Sequence, residues 1–185
     1  MGDKRSFPRR YGRLLGLALL LVAATGEFSP WWYSIAWHWR HGDTVLFENK
    51  QIPVPRGWIA SSETEKTVRV LTLLHLPKYL TLWGSTGPWS RIAVSTIAGS
   101  ARTDQENQAG WAHMIEVRYR GFDIGSPREV PTHAGETASC VTLTAASGPA
   151  RFEASCFIPK GASLFDYMGT ENEVNTFFEV VSGTR

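Results

Sequence analysis

Two cysteines, Cys140 and Cys156, place the strongest constraint on how this chain can fold. They are the only cysteines among 185 residues, and Ser147-Gly148-Pro149 lies midway between them. A hairpin folded at this glycine puts position 140 opposite position 156, with Cβ atoms about 4.5 to 5.5 Å apart. A disulfide needs about 3.8 Å, so a modest adjustment closes the bond. The spacing therefore predicts strands near 137–145 and 150–158, joined by a disulfide.

The pairing also predicts the compartment of the protein. Disulfides persist where the surroundings are oxidising, as in the periplasm or outside the cell. The alternative is a strand register shifted by one residue, which points the two sulfurs to opposite faces and leaves two free thiols. A cysteine nucleophile is disfavoured, because no histidine is recognisably placed to activate one.

The N-terminus has the pattern of an export signal or a membrane anchor. The uncharged run LLGLALLLVAATG (14–26) follows a basic segment that contains Lys4, Arg5, Arg9, Arg10 and Arg13. A basic region before a short apolar run is typical of a secretory signal, and Val22-Ala23-Ala24 would serve as its cleavage site. Both interpretations leave the basic end in the cytoplasm and the rest of the chain outside. The remaining alternative is an apolar first helix of a cytosolic fold.

A cluster of tryptophans favours the anchor over the cleaved signal. A spanning helix needs about 20 apolar residues, and the run reaches that length by continuing to residue 37 past Glu27 and Pro30. Tryptophan prefers the membrane–water interface, so the anchor predicts a membrane-interface role for Trp31, Trp32, Trp37 and Trp39. The sequence thus divides into an N-terminal signal-anchor (1–41), or a cleaved signal followed by an aromatic juxtamembrane segment, and an extracytoplasmic domain (42–185).

The charge of the domain argues against a nucleic-acid partner. Residues 1–24 contain five of the 19 basic residues and one of the 17 acidic residues, which leaves 14 basic and 16 acidic residues in the rest. Proteins that bind nucleic acid normally carry a basic stripe on the folded domain. We therefore expect the membrane as one partner, through the N-terminal helix, and a protein at the membrane surface as another.

The remaining patterns predict an α+β fold. Strands are expected at 44–48, 51–55, 67–76 and 91–99, with a turn at Asn49-Lys50 and a loop at 61–66. Thr103 and Glu106 fit a capping box, which starts a helix with Trp111, Ala112, Ile115 and Tyr119 on one face. A second capping box at Thr170 precedes an amphipathic helix with Val174, Phe177, Phe178 and Val181 at helical spacing. The prediction is an antiparallel β-sheet with two packed helices, preceded by an N-terminal hydrophobic helix.

The sequence carries no recognised catalytic motif, cofactor fingerprint or metal-binding set. His38 and His41 could share a helix face and hold a metal, but no third ligand follows in recognisable spacing. Asp123, Glu129 and Glu136 could converge as acid and base in a cleft, although loop carboxylates are usually solvated. The aromatic stretch around Tyr79, Trp83 and Trp89 is either a cap on the core or a recognition surface.

Two short segments, IPVPRGWIA (52–60) and VNTFFEVVSGTR (174–185), resemble a known family. Small extracytoplasmic proteins of the PsbP-like superfamily, including the DcrB-like lipoproteins, often open with an extended segment ending in a Pro-x-Gly-Trp turn. They often close with an amphipathic helix rich in phenylalanine. The resemblance spans residues 44–185 and implies an antiparallel sheet flanked by helices, with an assembly or binding role rather than catalysis. This chain lacks the lipobox cysteine, which puts lipid anchoring in doubt.

Together these patterns predict a membrane-tethered extracytoplasmic domain that acts as a non-catalytic binding or assembly module, with no cofactor. The alternatives are a secreted hydrolase-like enzyme or a structural cell-envelope protein. A contiguous exposed aromatic patch favours the binding module. A cleft that brings together at least two of Asp123, Glu129, Glu136 or a histidine favours the enzyme.

Overall fold

The computed structural model describes residues 16–17, 20–21, 32–65, 68–75, 80–81, 84–85, 90–96, 103–145 and 152–185. Its strands are β1 (Thr44–Phe47), β2 (Lys50–Pro53), β3 (Trp58–Glu65), β4 (Val68–His75), β5 (Leu80–Thr81), β6 (Gly84–Ser85), β7 (Ser90–Thr96), β8 (Phe122–Ile124), β9 (Arg128–Pro131), β10 (Thr137–Ala145), β11 (Phe152–Ile158) and β12 (Ser163–Gly169). The helices are α1 (32–41), α2 (Asp104–Arg118) and α3 (Val174–Ser182), the last preceded by a 3-10 turn at Glu171–Glu173.

An antiparallel sheet forms the centre of the fold. Its strands run in the order β3-β4-β7-β12-β11-β10-β8, and β9 pairs with the remaining part of the β10 edge. The α+β prediction is therefore confirmed, with three helices in place of the two packed helices expected. Strand β12 was not predicted, although it joins the β3-β4-β7 meander to the β10-β11 hairpin.

The cysteine hairpin has the predicted register. Cys140 pairs with Cys156, Thr142 with Ala154 and Thr144 with Phe152. A disulfide joins the two cysteines, whose Cα atoms are 4.0 Å apart, and both residues are buried in the larger core. The predicted Ser147-Gly148-Pro149 loop lies outside the described residues. The disulfide indicates an oxidising compartment outside the cytoplasm.

The two faces of the sheet are covered by different elements. Because side chains alternate along a strand, Leu71, Leu73, Ile92, Val94, Cys156 and Phe165 point to one face. There they meet α3 and the β1-β2 hairpin in the larger core. Trp111 and Ile115 of α2, with Tyr119 directly after the helix, pack on Val141, Leu143 and Phe157 of the opposite face, in a smaller core.

The predicted start and end of α2 are confirmed, whereas one residue of its buried face and the position of the β1-β2 turn were wrong. Thr103 caps α2 with both hydrogen bonds of the capping box, and Gly121 follows the helix with φ of 91°, as expected for a stop signal. Ala112 is exposed, so it does not belong to the predicted buried face. The β1-β2 turn consists of Glu48 and Asn49, both with positive φ, one residue earlier than predicted.

Two further predictions were wrong, the loop at 61–66 and the capping box at Thr170. The polar run 61–66 was expected to be a loop, but β3 continues through it to Glu65 and pairs with β4 along its whole length. Pairing with β4 therefore overrides the polar composition. At Thr170 the side chain makes no capping hydrogen bond, and the Glu173 side chain forms a 2.7 Å ion pair with His75.

The structure does not support the predicted N-terminal hydrophobic helix. Of the apolar run 14–26, only residues 16–17 and 20–21 are described, and they are helical. Within the described parts of the chain, we find no helix that is both long and apolar enough to cross a membrane. The tryptophan segment forms α1, whose C-terminal end leads directly into the domain.

Candidate functional site

Helix α1 has one face fixed to the domain and one face exposed. The Ser34 hydroxyl donates to the Trp58 carbonyl at 3.3 Å. The ring of His38 lies between Asp43 Oδ1 at 2.9 Å and the Pro55 carbonyl at 3.1 Å. Trp37 packs against the larger core and stacks on His41. Spacings of three and four residues place these side chains on one side of the helix.

The opposite side of α1 is a contiguous aromatic surface. Trp32, Ile35 and Trp39 recur at i, i+3 and i+7, and their exposed fractions are 56%, 41% and 91%. Tyr33 is also exposed, but it directly follows Trp32 and therefore lies on the flank of the helix. Scattered exposed apolar residues are ordinary, but a contiguous patch marks an interaction surface. We call Trp32, Ile35 and Trp39 the aromatic surface of α1.

A cavity of about 520 Å³ lies at the edge of this surface. It is lined by Ser34, Ile35, His38, Trp39, Asp43, Arg56 and Gly57. Both ring nitrogens of His38 already contact acceptor oxygens, and the Nδ1 of His41 contacts the Trp37 carbonyl at 2.9 Å. Among the described residues, no group of three or more histidine, cysteine or acidic side chains is arranged to hold a metal ion.

A second cavity, of about 400 Å³, lies on the sheet face that α2 covers only in part. It is lined by Val70, Arg91, Ala93, Ser95, Arg118, Tyr119, Glu153, Asp166, Tyr167 and Met168. We call it the acid–arginine cavity. Alternation along β11 and β12 brings Glu153 and Asp166 to this face, while the C-terminal end of α2 supplies Arg118 and Tyr119.

A hydrogen-bonded chain holds Asp166 in place at the floor of this cavity. The indole of Trp111 donates to Ser155 Oγ at 3.2 Å, and the Ser155 hydroxyl donates to Asp166 Oδ1 at 2.8 Å. The other carboxylate oxygen of Asp166 is 3.7 Å from Arg118 Nη1, which is longer than a hydrogen bond. The carboxylate is therefore oriented by α2 and β11 and keeps one oxygen toward the cavity.

Burial changes the ionisation of the groups in this cavity. It raises the pKa of Asp166, and the nearby charge of Glu153 adds to this effect, while the hydrogen bond from Ser155 and the charges of Arg118 and Arg91 oppose it. Burial also raises the pKa of Tyr119, and the negative charge of Asp166 raises it further. The Tyr119 hydroxyl thus stays protonated and acts as a donor toward Glu153. Acidic groups with a shifted pKa that lie in a cleft are a recognised sign of a functional site.

The residues singled out from the sequence lie mostly elsewhere. Asp123 and Glu129 are exposed on the edge strands β8 and β9. Glu136 forms an ion pair with Lys50 at 2.6 Å. Neither of the two cavities described above is lined by any of these three. Trp31 and the aromatic stretch of Tyr79, Trp83 and Trp89 lie outside the described residues.

Sequence reasoning missed Glu153, Asp166 and Tyr119 as a set. The alternation of β11 carried a signal, because Glu153 and Ser155 must lie on the face opposite Cys156. Asp166 lies between Phe165 and Tyr167 in a strand that was not predicted. The pairing of β11 with β12, in which Ser155 lies opposite Asp166, brings these residues together.

Two comparisons with known proteins find no match for this chain. No protein-family model matches it, and no curated protein matches it. The resemblance to PsbP-like and DcrB-like proteins therefore stays a prediction that rests on its two short segments.

Proposed function

We propose that this protein is a membrane-tethered extracytoplasmic binding or assembly module, without catalytic activity, that α1 holds against the bilayer surface. The observation that carries the proposal is the division of α1 into a face docked on the domain and an exposed aromatic face. A helix of this kind fits the membrane interface, where aromatic side chains bury their rings and keep their polar atoms in water.

The lipid surface is the occupant that the chain favours for the aromatic surface of α1. The segment just before α1 contains the apolar run 14–26 and, ahead of it, five basic residues that suit anionic headgroups. This segment gives the chain an anchor or a signal, and α1 follows it at the position of a juxtamembrane helix. A protein partner at the membrane surface would meet the other faces of the domain.

The alternative functions have less support. The interpretation as a hydrolase-like enzyme requires a cleft that brings together at least two of Asp123, Glu129, Glu136 or a histidine. Among the residues the structure describes, the acid–arginine cavity contains none of them. The structural cell-envelope reading offers no reason for an exposed aromatic helix face.

Membrane contact of α1 can be tested by tryptophan fluorescence of the full chain in vesicles that contain brominated lipids, which quench nearby indoles. We expect the double variant Trp32→Phe/Trp39→Phe to lose a clear part of the quenching seen in the wild type. The matched control is Trp58→Phe, which removes a tryptophan that is only 3% exposed in the core. Equal quenching in the wild type and the double variant would contradict the proposed contact.

The compartment and the anchor are tested together by the intact mass of protein purified from cell envelopes after alkylation without reductant. A full-length mass without alkylation supports an uncleaved anchor outside the cytoplasm. A mass shortened near Ala24 without alkylation indicates a secreted domain, and it removes the anchor from the proposal. Two alkylated cysteines would contradict the extracytoplasmic location.

A further inference from the structure

The acid–arginine cavity presents charges of both signs in separate layers. Glu153 is only 8% exposed, and the side chain of Asp166 is 24% exposed. The side chain of Arg118 is 58% exposed and Arg91 is also exposed. The carboxylates therefore form the inner layer of the cavity and the guanidinium groups form its rim.

The inner layer suits a compact cation with several donors. One oxygen of Asp166 is turned away from Ser155, and its nearest guanidinium atom is 3.7 Å away, beyond hydrogen-bond range. The last carbonyl groups of α2 add partial negative charge at this end of the helix. A primary ammonium group offers three donors in a small volume, so it can contact Asp166 and Glu153 together.

The rim suits a carboxylate. The side chain of Arg91 makes no hydrogen bond or ion pair with another residue in the described part of the chain, and the side chain of Arg118 has only its long contact with Asp166 and a contact with the Tyr119 ring. Guanidinium groups bind carboxylates through paired hydrogen bonds. Two of them at the mouth of one cavity leave several donors directed at an incoming anion.

We propose that the acid–arginine cavity binds a small zwitterion of the α-amino acid class. Its ammonium group contacts Asp166 and Glu153, its carboxylate contacts Arg91 and Arg118, and its side chain lies over Val70 and Ala93. Two acidic and two basic side chains already balance, so a neutral zwitterion enters without leaving a net charge in the site. A cavity of about 400 Å³ is within the usual range for small-ligand sites.

Calorimetric titration of the full chain in detergent micelles tests this proposal with glycine, alanine, leucine, glutamate and lysine as probes. We expect saturable binding of at least one of these amino acids. Propionate lacks the ammonium group and ethylamine lacks the carboxylate, so neither should bind at the same concentrations. Equal binding of ethylamine would overturn the zwitterion in favour of a simple cation site, and no binding of any amino acid to the folded chain would overturn the site.

Two variants with the same change in charge, Asp166→Asn and Asp123→Asn, locate the binding. Asp166→Asn should weaken binding of the amino acid by about tenfold or more, since a charge-assisted contact contributes that much to affinity. Arg91→Gln should also weaken binding of the amino acid, because it removes a contact with the carboxylate of the ligand. The matched control is Asp123→Asn, an exposed carboxylate on β8 that does not line the cavity. Equal affinities of the Asp166→Asn and Asp123→Asn proteins, both folded by circular dichroism, would place the ligand elsewhere.

This inference and the proposed membrane contact fail separately. The titration is made in detergent and does not depend on a bilayer, while the quenching experiment contains no amino acid. A chain that binds vesicles but no amino acid would keep α1 in its proposed role and remove the ligand of the cavity.

Discussion

The two faces of the central sheet differ in what covers them. The face toward α3 is largely apolar, carries the disulfide and is covered by a helix and a hairpin together. On the face toward α2, the apolar contacts are centred on β10 and β11, with Phe122 and Leu164 beside them, and ionisable groups occupy the part near β7 and β12. The difference indicates that one face supplies most of the stability of the fold. The other face carries polar groups that cost stability and are free to serve binding.

The largest change in the free energy of unfolding should come from a substitution at the centre of the α3 face. Phe177 is fully buried and stacks on Tyr167 with ring centroids 5.5 Å apart. Phe177→Ala should lower the free energy of unfolding by about 3–5 kcal/mol, because the cavity left behind cannot fully close. Denaturant titration measures the loss. Val117→Ala, at an exposed position of α2, is the control and should change stability by less than about 0.5 kcal/mol.

The disulfide tests whether this face is also stabilised through the unfolded chain. The double variant Cys140→Ala/Cys156→Ala should lose about 3 kcal/mol, since the bond closes a loop with a sequence separation of 16. The hydrogen bonds between β10 and β11 remain in the variant. Reduction of the wild type under denaturing titration should give a loss of similar size. A loss near zero would mean that the sheet alone fixes this hairpin.

On the α2 face, a substitution that removes a buried charge should stabilise the protein. Asp166→Asn keeps the acceptor for Ser155 and removes a buried charge, so it should raise the free energy of unfolding at pH 7. The gain is on the order of 1 kcal/mol, the scale of a polar desolvation cost in proteins. A loss as large as that of Phe177→Ala would break the contrast between the two faces.

The same variant has a pH dependence whose sign follows from burial. The pKa of Asp166 is higher in the folded than in the unfolded protein, so the folded state binds the proton more tightly. The carboxyl group therefore destabilises the fold increasingly as pH rises from about 4 through its folded pKa. The advantage of the Asp166→Asn protein should be largest at pH 7 and should shrink toward pH 4. An advantage that grows on acidification would contradict the burial of this charge.

The parts of the fold that sequence could predict are those fixed by local or two-strand patterns. The register of β10 and β11 followed from two cysteines around one turn, and the start of α2 followed from Thr103 and Glu106. The final helix followed from the spacing of its apolar residues. In each case the residues that interact are close in sequence or lie at equal distances on either side of one turn.

The parts that sequence could not predict depend on distant partners. The polar run 61–65 belongs to β3 because it pairs with β4, and the Glu173 side chain pairs with His75, which is distant in sequence. The acid–arginine cavity needs β7, β11, β12 and α2 at once, so none of its charges stood out alone. The exposed face of α1 was visible as a tryptophan cluster, but which rings face solvent depends on where Ser34 and His38 dock.

The position of β12 in the sheet has a consequence for the order in which the chain can fold during synthesis or export. Residues 58–96 can form the β3-β4-β7 meander early, and the disulfide hairpin can form later as a separate unit. Each unit then has an open edge, on β7 and on β11, until residues 163–169 arrive and pair with both. Unpaired strand edges invite association with other chains. A strand close to the C-terminus, among the last residues to emerge, therefore closes the sheet, and the interval before it does so is when this protein most needs protection from aggregation.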